Sequence, residues 1–196
     1  MNDIETILRA GLPGAEPLPG VAAAAQTAGL LDVAYAIEDS PVGRLLLAAT
    51  PRGLVRVAYL DGGEEAVLAD LAGRLSPRIL SAPGRLDDAR RELDEFFAGR
   101  RRGFELALDW RLTAGFARRV LRSTSRIPYG SVSSYKLVAT QAGSPRAFRA
   151  AGTALGGNPL PIIVPCHRVL HTGGGLGGYT GGLERKRTLL RIEGVL

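Results

Sequence analysis

The texture of this chain changes near residue 111, from strand-like to helical, and that change limits what it can fold into. Ahead of it, "DVAYAIED", "GRLLLAAT" and "GLVRVAYL" are short apolar or alternating runs separated by "SPVG" and "TPRG". That is the pattern of strands joined by tight turns. "GEEAVLADLAGRL" and "LDDARRELDEFFAGR" have helical spacing, with acids leading and arginine trailing as a helix dipole favours. "GFELALDW" then returns to strand-like alternation, and Trp110 at its end reads as a packing residue at a domain junction.

From residue 113 the spacing is helical. "TAGFARRVLRSTSRI" opens on Thr113 in an N-cap position and runs to "IPYG", a turn signal. "SVSSYKLVATQAGSPRAFRAAGTALGGNP" predicts two short helices, at about 132–141 and 145–155. Gly143 suits the stop of the first, while Ser144 and Pro145 suit the cap and first turn of the second. Two short helices around a tight glycine turn make the layout of a helix-turn-helix, with a generic two-helix hairpin as the alternative. "LERKRTLLRIEG" reads as a final amphipathic helix with its basic face outward. The fold class is therefore α+β. A flexible extension over 1–31, holding at most a short helix, precedes a small α+β domain over 32–110 and a mainly helical domain over 111–196.

Charge divides at the same place. Residues 1–100 hold 10 Arg/Lys against 15 Asp/Glu, whereas residues 101–196 hold 15 against 4, a net of +11. A basic half behind an acidic one suits a module that binds a polyanion, and non-specific DNA binding rests on phosphate neutralisation. An arginine-rich solvated surface is the plainer alternative, since 23 of the 25 basic residues are Arg. The single cysteine excludes an internal disulfide, a two-cysteine redox pair and a Cys-rich zinc site, and it suits a reducing compartment. The amino terminus has acids where a signal peptide needs positive charge, and no apolar run is long enough for a bilayer. A cytoplasmic protein with no membrane segment is expected. With His167 and His171 the only histidines, no metal site and no cofactor are expected.

The second of the two short helices, "PRAFRAAGTALGG", is built from small residues. Few of its side chains can reach base edges in a major groove. Arg149 stands among Ala147, Ala150 and Ala151, which suits close approach to a minor groove with one long side chain free to enter the duplex. A tightly packed helix pair with Arg149 in solvent is the alternative. The run "GGGLGGYTGG" (173–182) contains a formal G-x-G-x-x-G, but the βαβ unit and the acid about twenty residues on that a dinucleotide site requires are missing. It reads as a close-packed loop at a pocket mouth. Cys166, in "PLPIIVPCHRV", is either a small apolar core residue or a nucleophile beside His167.

Together these stretches resemble the O6-alkylguanine-DNA alkyltransferases, which repair methylated guanine. The resemblance rests on "PCHRV" (165–169), "IPYGSVSSY" (127–135), "AGSPRAFRAAG" (142–152), "GNP" (157–159), "GGYTGG" (177–182) and "LLRIEG" (189–194). It covers residues 112–196 strongly and 32–110 in texture. Lys136, Val138 and Phe148 depart from the commonest pattern of the family.

The resemblance implies a ribonuclease-H-like first domain and a helix-turn-helix second domain. It implies a monomer that binds double-stranded DNA through the minor groove with the alkylated guanine flipped out. Cys166 takes the alkyl group; His167 helps deprotonate it through a water, and Glu193 orients that histidine. Tyr135 lies near the flipped guanine and its neighbouring phosphate, and Arg149 fills the space left in the stack. Ala147, Ala150 and Gly152 belong to the same DNA-facing helix. Asn158 braces the turn leading to the active-site segment. The carbonyls of Cys166 and Val169 accept from the guanine amino group, and Tyr179 and Thr180 line the pocket. The implied reaction is a single, irreversible transfer from O6-alkylguanine, and from O4-alkylthymine, to Cys166. A lesion-binding relative without transfer is the nearest alternative, but such proteins lack this cysteine. A Cys–His–Glu thiol hydrolase leaves the basic half unexplained, and a transcription factor would need base-reading side chains that are scarce here.

Overall fold

A computed structural model describes residues 24, 25 and 27–196. The expected extension over 1–31 lies outside the described residues through residue 23 and at residue 26.

The first half is built on a four-stranded sheet. Strands β1 (Val33–Glu38), β2 (Leu45–Thr50) and β3 (Gly53–Tyr59) pair antiparallel, and β4 (Ile79–Ser81) joins β1 in parallel, giving the order β3-β2-β1-β4. The run "LLLAAT" of β2 is apolar at successive positions because this interior strand is covered on both faces. Alternation sends Leu46 and Ala48 to one side, with Val33, Val55 and Leu71 of helix α1 (Glu64–Arg74). Leu45 and Leu47 go to the other side, against Leu93 and Phe96 of helix α2 (Asp87–Phe97). That second face does not stop at the first half. The same apolar cluster takes in Val120, Val138, Ile163, Cys166 and Leu189. One core therefore runs through both halves, and Trp110 packs against it.

In place of the strand expected over 103–110 the structure has a single bridge, Leu54 to Leu108. The Leu54 amide donates to the Ala107 carbonyl at 2.8 Å, and the Asp109 amide to the Leu54 carbonyl at 2.8 Å. Pairing ends there because the Glu105 amide donates instead to the Glu92 side chain at 2.9 Å, and a 3-10 turn begins at Trp110. The close approach depends on Gly53, at φ 125°, where a Cβ would sit 2.2 Å from the Ala107 oxygen. Gly53→Ala is expected to push this connecting segment off β3 and lower stability by at least about 2 kcal/mol, read as a fall in the denaturant midpoint.

The second half contains helices α3 (Gly115–Thr124), α4 (Tyr135–Gln141), α5 (Phe148–Gly156) and α6 (Leu183–Ile192). Thr113 does not cap α3: its hydroxyl donates to the Trp110 carbonyl at 2.9 Å, and Ala114 holds the cap position. Ser134 caps α4 by accepting from the Leu137 amide at 3.2 Å. Helix α5 begins later than expected, at Phe148, because residues 144–147 close a turn of their own with the Ala147 amide on the Ser144 carbonyl. Ser144 and Pro145 therefore belong to the turn. The strand β4 was not anticipated; its three residues give too short a pattern to separate from a loop.

Candidate active site

The segment between α5 and Cys166 is held in an unusual shape. Ile162 has φ 74°, in the left-handed region that is costly for a β-branched residue, and it is fully buried. Asn158 fixes the loop around it. Its Oδ1 accepts from the Leu160 amide at 3.0 Å, and its Nδ2 donates to the Val164 carbonyl at 2.8 Å and to Cys166 Sγ at 3.1 Å. The chain then makes a 3-10 turn, Cys166–Arg168, and enters β6 (Val169–Leu170). A short parallel pairing of β6 with β5 (Ser133–Ser134) places Tyr135, the next residue, on the same side as Cys166.

Cys166 is 5% exposed, and burial pushes its thiol up to about 11, against the opposing pull of the Asn158 hydrogen bond and the nearby Lys186 charge. At neutral pH it is a protonated thiol, so any nucleophilic use needs a base. His167 is buried and its Nε2 lies 2.8 Å from Glu193 Oε1. Glu193 sits just past the end of α6, where the helix dipole disfavours an anion. Arg168 offsets this. Its Nε donates to both Glu193 oxygens at 3.1 and 3.0 Å, and its Nη2 donates to Oε1 at 2.8 Å. Burial opposes ionisation of Glu193, but the bonds from His167 and Arg168 outweigh it and hold the carboxyl below its ordinary value.

A carboxylate can only accept, so Nε2 of His167 must carry the proton in that contact. Burial, reinforced by the charges of Arg168 and Lys186, holds the imidazole below its usual pKa despite Glu193. The ring is thus neutral, and Nδ1, which is buried without a hydrogen-bond partner, keeps its lone pair. That is a base in waiting.

In front of Cys166 lies a cavity of about 830 Å³, whose walls include Tyr135, Arg149, Gly152, His171, Tyr179 and Thr180. The glycine run forms its rim. A Cβ on Gly177 would come within 2.6 Å of the Tyr135 hydroxyl, so that glycine admits the tyrosine. On α5, Ala151, Ala154 and Leu155 face the core, which leaves Arg149 and Ala150 on the exposed side with Ala147 and Gly152 half-buried. Arg149 lies over the exposed Phe148 ring, 5.7 Å from its centre.

Two family descriptions cover nearly the whole described chain. Residues 33–110 match the 6-O-methylguanine DNA methyltransferase ribonuclease-like domain, and residues 115–195 match its DNA binding domain. The chain belongs to the 6-O-methylguanine DNA methyltransferase family. It is 40% identical over 161 residues to the methylated-DNA–protein-cysteine methyltransferase of Mycolicibacterium paratuberculosis, covering 82% of this chain and 92% of that one. The enzyme of the same name from Methanosarcina barkeri is 37% identical, over 81% of this chain and 96% of the relative. A crystal structure of Mycobacterium tuberculosis OGT in complex with DNA superposes with a TM-score of 0.70 at 39% identity, covering 82% of this chain and 92% of that one.

Within this methyltransferase fold, Cys166, Tyr135, Tyr179 and Thr180 line one cavity, and the His167–Glu193 pair is off its wall, with His167 next in sequence to Cys166. Asn158 and Val169 stand behind the cavity rather than on its wall. The Val169 carbonyl accepts from Lys186 Nζ at 2.7 Å. Lys186 corrects the expectation of a basic outer face on α6: its side chain is fully buried, its amine also bonds the Leu176 carbonyl, and burial lowers it to about 8. Arg168 and Tyr59 also carry the site and were missed. Arg168 lies inside the quoted motif, but nothing in that motif marks it as buried on Glu193. Tyr59 is far away in sequence, on β3, and no local pattern marks it. Among the described residues no helix is long and apolar enough to cross a membrane.

Proposed function

We propose that Cys166 is the acceptor in a one-time transfer of an alkyl group from the guanine O6 of DNA, with His167 as its base. The chain is a DNA-repair alkyltransferase and DNA is its partner. The observation that carries the residue assignment is the buried thiol at the floor of the cavity, next in sequence to an imidazole whose Nδ1 lone pair is unclaimed. The thiol proton passes toward His167 through a water, and Glu193 and Arg168 hold the ring. Sulfur attacks the alkyl carbon, an S–C bond forms, and the O6–C bond breaks. The electron pair stays with guanine, which gains the proton that the thiol has lost. A thioether remains on Cys166. With no second thiol in the chain to reverse it, each molecule acts once.

Helix α5 docks in the minor groove as the second helix of a helix-turn-helix, and its small residues Ala150 and Gly152, with Ala147 in the turn before it, permit close contact. Arg149 enters the stack as the alkylated nucleotide turns out, offsetting an unstacking cost of a few kcal/mol. Tyr135 faces the flipped base and its phosphate, Tyr179 and Thr180 wall the pocket, and the Cys166 carbonyl meets the guanine amino group; the Val169 carbonyl, expected beside it, lies behind the cavity on Lys186. O4-alkylthymine fits the same chemistry. The protein works in the cytoplasm as a monomer, with residues 32–110 and 111–196 as its two domains.

Intact mass after mixing with excess duplex containing O6-methylguanine, followed by peptide mapping, tests this. A single methyl on the Cys166 peptide is expected, with repair stopping at one lesion per protein. Unmodified protein that still binds the duplex would leave only lesion recognition, and continued turnover would point to a hydrolase.

A further inference from the structure

Tyr179 walls the cavity beside Cys166, and its hydroxyl is 2.7 Å from that of Tyr59, the last residue of β3. A side chain of the acidic first half thus reaches the alkyl-transfer site of the second. The two rings meet edge to face, with centres 6.3 Å apart. Tyr59 is itself clamped. The Arg185 guanidinium of α6 lies 4.4 Å from the centre of its ring. That guanidinium donates to the Val42 carbonyl at 2.6 Å, to the Gly181 carbonyl at 3.2 Å and to the Asp61 carboxylate, with Oδ1 at 2.7 Å. The ring edge also presses on Gly181, where a Cβ would stand only 2.4 Å from Tyr59 Cε2. Tyr59 has no room to move, and the hydroxyl it offers to Tyr179 is fixed in space.

A pocket wall that cannot retreat discriminates by size, because a few extra carbons must find room against a held ring. We propose that Tyr59 is a positioning and specificity-determining residue: by holding Tyr179 it sets the width of the lesion pocket and favours small alkyl groups over bulky ones. This rests on the reading of Cys166 as the alkyl acceptor. Loss of the Tyr59 hydroxyl frees the Tyr179 ring to turn, which admits larger groups and loosens the fit around a methyl group.

The test compares single-turnover rate constants on duplexes containing O6-methylguanine or O6-benzylguanine. Tyr59→Phe removes only the hydroxyl and keeps the ring against Arg185 and Gly181. The benzyl-to-methyl rate ratio is expected to rise about fivefold, the worth of one hydrogen bond. Val55→Ala, on the same strand but in the other core cluster, serves as a control for general loosening and should keep the wild-type ratio. An unchanged ratio in Tyr59→Phe overturns the proposal. So does an equal rise in Val55→Ala, which would make the effect one of stability alone. If the wild-type protein takes no methyl group on Cys166, the functional reading itself fails, and this proposal with it.

Discussion

Cys166→Ser is expected to abolish alkyl transfer, by more than about a thousandfold, while duplex binding stays close to that of the wild type. Transfer to an alkyl carbon needs a soft, ionisable nucleophile, and a serine hydroxyl is far less acidic than a thiol and harder. The binding side of the argument is separate. Cys166 is 5% exposed and carries no charge as a thiol, and the substitution leaves the basic residues of the second half untouched. The fold should survive as well, because Asn158 Nδ2 can donate to a hydroxyl oxygen as it does to Sγ, so the change in stability should be about 1 kcal/mol or less. The measurement is a pair: adduct formation by mass and duplex affinity by titration, on the same preparation. Loss of both would mean that Cys166 braces the loop over Ile162 rather than reacting.

What the sequence made legible and what it hid divide along a physical line. Local periodicity exposed β1 to β3, α1 and α2, and the helical second half, because each buries one face and the burial imposes its period. Contiguous motifs carried the family resemblance that pointed to Cys166, His167, Tyr135 and Glu193, and the structure puts Cys166 and Tyr135 on one cavity and pairs His167 with Glu193. Contacts between distant segments left no such trace. Lys186 looked like one more cation on a basic helix, yet it is buried with its amine on two carbonyls, Val169 and Leu176. Tyr59 looked like the outer end of a strand, and its role arises only once β3 lies against the α6 end of the glycine loop. The expected strand over 103–110 failed for the same kind of reason: Glu92, on α2, takes the Glu105 amide that a ladder would have used.

Arg168 is the most consequential of these hidden residues, and Arg168→Met shows why. In the wild type, burial and the Arg168 and Lys186 charges hold His167 below its ordinary pKa, and Glu193 is ionised against two partners. Both shifts have one sign for stability. A histidine depressed in the folded state loses stability as pH falls below its unfolded value of about 6.5, and a depressed carboxylate does so as pH falls through its folded value. The wild type should therefore be more stable at pH 8 than at pH 5. Without Arg168, the Glu193 charge is left with His167 alone, and its pull on the imidazole is opposed only by burial and Lys186, so the His167 pKa rises from its wild-type value. The gap to the unfolded value narrows, and the part of the stability that favours high pH shrinks with it. The variant should lose about 3–5 kcal/mol near pH 8, the usual cost of stripping one partner from a buried pair, and less near pH 6. Catalysis follows the same proton. An imidazolium has no lone pair on Nδ1 to accept the Cys166 proton, so the acid limb of the rate–pH profile should move to higher pH and transfer should recover as pH is raised. Rate–pH profiles and denaturant midpoints at these two pH values measure both, together with the His167 titration by NMR. An unshifted His167 titration and rate profile would confine Arg168 to packing.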